Sequence, residues 1–116
     1  GLEVKEKDQD TYRKYRILAY TTGQYRAYQN LVNQKIYDMA LDSLISTIGR
    51  CEEYSSDAKE LGCEGEISDI QAKAEEALEA FKIDTEKALE VYDMKDRTAY
   101  SKEIYQILDD AGLSEE

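Results

Sequence analysis

The sequence predicts an all-α fold of about four antiparallel helices, arranged as a small helical bundle or a stack of helical hairpins. Three observations lead there. The chain of 116 residues contains no proline, where average usage gives about six in this length, and an interior proline costs a helix about 3 kcal/mol. Apolar side chains recur every three to four positions from Asp10 to Ala111, the period of a helix with one buried face. The stretches so marked are separated by few residues, and short connections make consecutive helices antiparallel neighbours.

A single domain is expected, because a chain of this length buries a core without disulfide or metal staples. With 41% hydrophobic and 35% charged residues, the composition is that of a globular chain rather than a disordered one. Residues 1–9 alternate charge with no sustained apolar face and read as a frayed lead-in. The helical domain is placed at residues 10–112, with 113–116 as a tail.

From Asp10, the residues Tyr12, Tyr15 and Ala19 share one helical face, followed after Thr21-Thr22-Gly23 by Tyr25, Tyr28, Leu31 and Val32. Two β-branched residues and a glycine cost about 1–2 kcal/mol together, so the sequence accommodates either a continuous or a broken first helix. The second helix follows Asn33, with Ile36, Ala40, Leu44, Ile48, Cys51, Ala58 and Leu61 on its apolar stripe. Gly62 and Gly65 around Cys63 mark its end, since left-handed backbone is cheap there.

The third helix opens near Ser68, which forms the Ser-x-x-Gln spacing of a capping box with Gln71. Ile67, Ile70, Ala74, Ala77, Leu78 and Phe81 mark its buried face, and the phase continues through Ala88, Leu89 and Tyr92. Ile83-Asp84-Thr85 suits either the cap of a new helix or passage through one, and with the phase kept, one long helix to about Asp93 is expected. The last helix runs from about Arg97 to Ala111, with Tyr100, Ile104, Ile107 and Leu108 inward and Gly112 as its stop.

The segment from Gln34 to Ile48 resembles the turn and second helix of a tetratricopeptide repeat. In that family an aromatic residue precedes a small alanine by three positions and a bulky residue follows four later; Tyr37, Ala40 and Leu44 match. A fainter copy appears at Thr85, Ala88 and Tyr92, farther along than the family's repeat of about 34 residues. The resemblance implies helical hairpins and, by analogy, a protein-binding role.

Catalytic chemistry has little to work with. The chain has no histidine, which removes the usual general base and the commonest zinc ligand. Cys51 and Cys63 are the only thiols and lack Cys-x-x-Cys spacing. Twelve helical residues span about 18 Å, whereas a disulfide needs Cα atoms within about 7 Å, so a buried Cys51 and an incidental loop Cys63 are expected. No acidic calcium loop, glycine-rich phosphate loop or serine nucleophile motif is present. No catalytic residue, cofactor or metal is assigned, and an enzyme is not expected.

The formal charge of −11 is unevenly spread: residues 1–62 hold 9 basic and 10 acidic residues, and residues 63–116 hold 6 and 16. An acidic C-terminal half repels nucleic acid and anionic membrane, and fits a partner protein with a basic surface facing it. No apolar run approaches the roughly 20 residues of a membrane span. The chain begins Gly1-Leu2 without an initiator methionine, the mark of a trimmed chain, which leaves an extracytoplasmic anchored origin open.

Ten tyrosines accompany one phenylalanine and no tryptophan, and six of the ten fall within residues 12–37. There they interleave with arginine, a composition suited to recognition surfaces. Tyr12, Arg13, Arg16, Tyr25 and Arg26 are the candidate partner-binding residues. Tyr15, Tyr28 and Tyr37 lie beside apolar stripes and are expected to pack, leaving Tyr12, Tyr20 and Tyr25 for a partner surface. The expected function is a protein-interaction or scaffold module; the alternative is a small-molecule-binding or sensing helical domain.

Overall fold

The computed structural model describes the backbone of residues 2–114 and the side chains of residues 8–114. Five α-helices and one 3₁₀ turn follow in order: α1 (Leu2–Asn33), α2 (Tyr37–Leu61), α3 (Glu64–Ala77), the turn Leu78–Phe81, α4 (Thr85–Tyr92) and α5 (Arg97–Asp110). Among the described residues there is no strand, so the chain is all-α. The backbone is helical from Leu2, inside the stretch read as a frayed lead-in and eight residues before the expected start at Asp10.

α1 and α2 form a long hairpin, and α2 also packs against α3, α4 and α5. This central position explains why α2 carries the strongest apolar stripe: Ala40, Leu41, Leu44, Ile45, Ile48 and Cys51 are fully buried. The larger core cluster joins Ala40, Leu41, Leu44, Ile45 and Ile48 to Tyr28, Leu78, Phe81, Val91 and the inner face of α5. A smaller cluster of Ile17, Cys51, Ala58, Cys63 and Ile67 lies towards the other end of the hairpin. The molecule is elongated, 61 × 28 × 18 Å with a radius of gyration of 16.0 Å, against about 13 Å for a compact domain of this length. The reason is α1, whose 32 residues span about 48 Å while α2 and α3 pack along one side of it.

Four helix ends close by the same device, in which the amide after a left-handed residue donates to the carbonyl five positions back. Ile36 donates to Leu31, Cys63 to Ala58, Ile83 to Leu78 and Leu113 to Leu108. The left-handed residue is Gly62 and Gly112 in two cases, as the sequence indicates, but Lys35 (φ 62°) and Lys82 (φ 57°) in the others.

Lys82 overturns the expectation of one long helix to Asp93. The chain turns there and restarts at Asp84, whose carboxylate accepts from the Lys87 amide at 2.8 Å. The expected start at Ser68 is also corrected. α3 begins at Glu64, directly after the Gly62 turn, with Glu64 and Glu66 at its positive end. Ser68 is exposed inside the helix, and Gln71 donates instead to Glu75. Cys63 is fully buried rather than an incidental loop thiol, and both cysteines are free. Leu113 packs against the larger core; of the expected tail, residues 115 and 116 lie outside the described residues.

The Thr21-Thr22-Gly23 stretch does not interrupt α1. Thr21 is fully buried and its hydroxyl donates to the Ile17 carbonyl at 2.9 Å, so packing against the rest of the hairpin absorbs the poor local propensity.

Candidate protein-binding face on the first helix

The inner face of α1 is set by Ile17, Thr21 and Tyr28, which are buried, with Leu18 and Tyr25 half-buried beside them. The stripe Tyr12, Tyr15 and Ala19 runs along the opposite side. Tyr12 is 62% and Tyr15 69% exposed, and Ala19, Gly23 and Arg26 continue the same stripe as exposed residues. Helical spacing identified a genuine stripe but could not say which way it faces, and the expectation that Tyr15 packs inward is corrected. Tyrosine supplies a period at an interface as readily as in a core.

The five candidate residues separate accordingly. Tyr12, Arg16 and Arg26 lie exposed on or beside the outer face, with the Arg16 guanidinium 5.9 Å from the Tyr12 ring centroid. Arg13 turns towards α2, where it lies 3.6 Å from Asp57 and 3.9 Å from Glu60 as well as 3.4 Å from Asp10. Tyr25 packs against the larger core and tilts onto Tyr28 at 5.8 Å, so it holds the helix rather than a partner. Tyr12 and Arg26 stand about 21 Å apart along the helix axis.

Tyr15 and Ala19, which the sequence groups with Tyr12, share this region with Tyr20 and with Tyr54 of α2, which it does not. With Arg13, Arg16, Ile17 and Asp57 they line an open groove of about 530 Å³ between α1 and α2. Tyr20 stands edge-on to Tyr54 at 6.3 Å and carries the Arg50 guanidinium 4.9 Å above its ring. Arg50 in turn pairs with Glu53 at 3.0 Å, and Glu53 accepts from the Tyr92 hydroxyl at 2.9 Å. That chain of contacts fixes one wall of the groove to α4.

Local charge sharpens the picture. Residues 11–33 contain four cations and no carboxylate, whereas the remaining chain holds 11 cations and 26 carboxylates. Neither Arg16 nor Arg26 makes an ion pair among the described residues.

A second groove, of about 210 Å³, lies between the start of α2 and α5. Tyr100 donates its hydroxyl to Asp42 there, beneath the Arg97 guanidinium 4.2 Å from its ring centroid. Burial, and then the Asp42 carboxylate, push the Tyr100 phenol well above its ordinary range. Met39 and Tyr105 line the rim as exposed residues. Among the described residues no three His, Cys, Asp or Glu side chains are grouped to hold a metal, and no helix is long and apolar enough to cross a membrane.

Comparison of the chain with models of protein families, with characterised proteins and with solved structures finds no match to any of them.

Proposed function

We propose that this chain is a protein-binding module without catalytic activity of its own, a helical scaffold that presents the outer face of α1 to another protein. The observation that carries this is the pairing of Tyr12 and Tyr15, more than three-fifths exposed, on the side of the helix facing away from the core. Tyrosine and arginine are the residue types that dominate binding energy at interfaces, and here they stand on a rigid helix, so little ordering entropy is lost on docking. Gly23 supports the same reading. A glycine inside a helix costs about 1 kcal/mol relative to alanine, yet a side chain at Gly23 would meet nothing within 4 Å.

The exposed carboxylates of α3, among them Glu64, Glu66, Asp69, Glu75 and Glu76, offer a second surface suited to a basic region of a partner. The resemblance to tetratricopeptide hairpins points to the same class of function. Its support is that Ala40 and Ala88 are both fully buried, as close helix packing requires.

Photo-crosslinking tests the proposal. A benzophenone amino acid replacing Tyr15 is expected to trap a discrete partner from cell extract, and the added Tyr12→Ala substitution should abolish the adduct. The same probe at exposed Glu79 serves as control. Equal labelling from both positions would refute a binding role for this face.

A further inference from the structure

Resting on that reading, we infer that the occupant of the α1 outer face is an acidic amphipathic helix of another protein. Among the described residues nothing covers this face, and its stripe from Tyr12 to Arg26 covers about 21 Å, four turns of helix against which a second helix lies lengthwise. Ala19 and Gly23, one turn apart, leave a low strip between the Tyr12–Tyr15 end and Arg26, so the two backbones approach closely there. A glycine with open space above it gains packing only from something outside the chain.

Charge selects the kind of helix. Arg16 and Arg26 flank the strip without an ion pair among the described residues, within a stretch of 23 residues (11–33) devoid of carboxylates. A basic partner would meet like charge, whereas Glu and Asp beside a partner's apolar stripe would meet these guanidiniums. Asp8 lies one turn before Tyr12 and is exposed, so the partner's carboxylates sit towards the Arg16–Arg26 end. A second copy docked face to face is a poorer fit, because it sets the same Arg16 and Arg26 guanidiniums against these. Nucleic acid is poorer still, since the chain as a whole sets 15 cations against 26 carboxylates.

The test is selection of a displayed library of helical peptides of about 16 residues, with a fixed Leu/Ala stripe and randomised flanks, against the full chain. The expected result is enrichment of Asp and Glu in the flanks. Binding of the selected peptides should then fall at least about tenfold in Arg16→Glu/Arg26→Glu and in Tyr12→Ala/Tyr15→Ala, with helical circular dichroism unchanged in both variants. Neutral or basic peptides that Tyr12→Ala/Tyr15→Ala still abolishes would overturn the acidic-helix inference and keep the binding face. No enrichment, or peptides indifferent to Tyr12→Ala/Tyr15→Ala, would overturn both. Light scattering and a single-stranded oligonucleotide shift assay complete the set: a dimer or a nucleic-acid complex lost in Tyr12→Ala/Tyr15→Ala would assign the face to that occupant and overturn the inference.

Discussion

The ring of Tyr92 lies flat over Gly49, so close that a side chain on Gly49 would overlap it. The contact joins α2 to α4 and lets the Tyr92 hydroxyl reach Glu53. Gly49→Ala should therefore destabilise the fold. Overpacking costs about 1–3 kcal/mol and the gain in helix propensity returns about 1 kcal/mol, leaving a net loss of up to about 2 kcal/mol in urea unfolding. In a Tyr92→Ala background the loss should disappear. The same substitution at Gly23, where the space is open, should stabilise by about 0.5–1 kcal/mol. Equal effects at the two glycines would refute this packing.

Leu44 and Tyr15 provide a second contrast. Leu44 is fully buried at the centre of the larger core, so Leu44→Ala should cost about 2–5 kcal/mol. Tyr15→Ala should change stability by less than about 0.5 kcal/mol, because that side chain is 69% exposed. A large loss at Tyr15 in thermal or urea unfolding would show that the outer face of α1 is in fact packed.

The restart at α4 rests on local backbone chemistry, since a helix of eight residues has little stability of its own. Removing the cap with Asp84→Ala should cost about 0.5–2 kcal/mol. Lys82→Gly should raise stability by up to about 1 kcal/mol, because the left-handed conformation at φ 57° carries no steric penalty for glycine. Opposite signs for these neighbouring substitutions are the diagnostic; a destabilising Lys82→Gly would mean that the turn is not left-handed.

Alkaline pH should weaken the fold. Burial, aided by the nearby Glu75 charge, pushes the Cys51 thiol from 9.0 to about 11. Burial and the Glu53 hydrogen bond push the Tyr92 phenol from 10.0 to about 12, and burial raises Tyr28 and Tyr100 as well. Each folded value lies above the unfolded one, so the stabilisation is complete below about pH 9 and is lost as pH rises towards the folded values. Cys51 contributes at most about 1.4 kcal/mol per pH unit between its two values, and half-exposed Tyr92 less because water screens it. Urea midpoints should be flat from about pH 6 to 8, where no histidine titrates, and fall steadily above about pH 9. Native-state alkylation of both buried cysteines should be far slower than alkylation of the unfolded chain; rapid native labelling would contradict their burial.

The sequence alone determined the helical class, the α2 and α5 stripes and the two glycine-closed ends, because a 3.6-residue period and a left-handed glycine are written in residue type. Lys35 and Lys82 adopt the same left-handed geometry with no such signature, so Asp84 read as a cap or as a passing residue alike, the continuous phase favoured one long helix, and Ser68 passed for a cap it does not form. The Tyr12, Tyr15 and Ala19 stripe was legible as a stripe, but its direction was not. Periodicity fixes which residues share a face, whereas only the packing of α2 and α3 against Ile17, Thr21 and Tyr28 decides which face of α1 is left to solvent. Tyrosine, half apolar and half polar, is stable on either side, and so the tertiary structure alone turned an expected core residue at Tyr15 outward and an expected surface residue at Tyr25 inward.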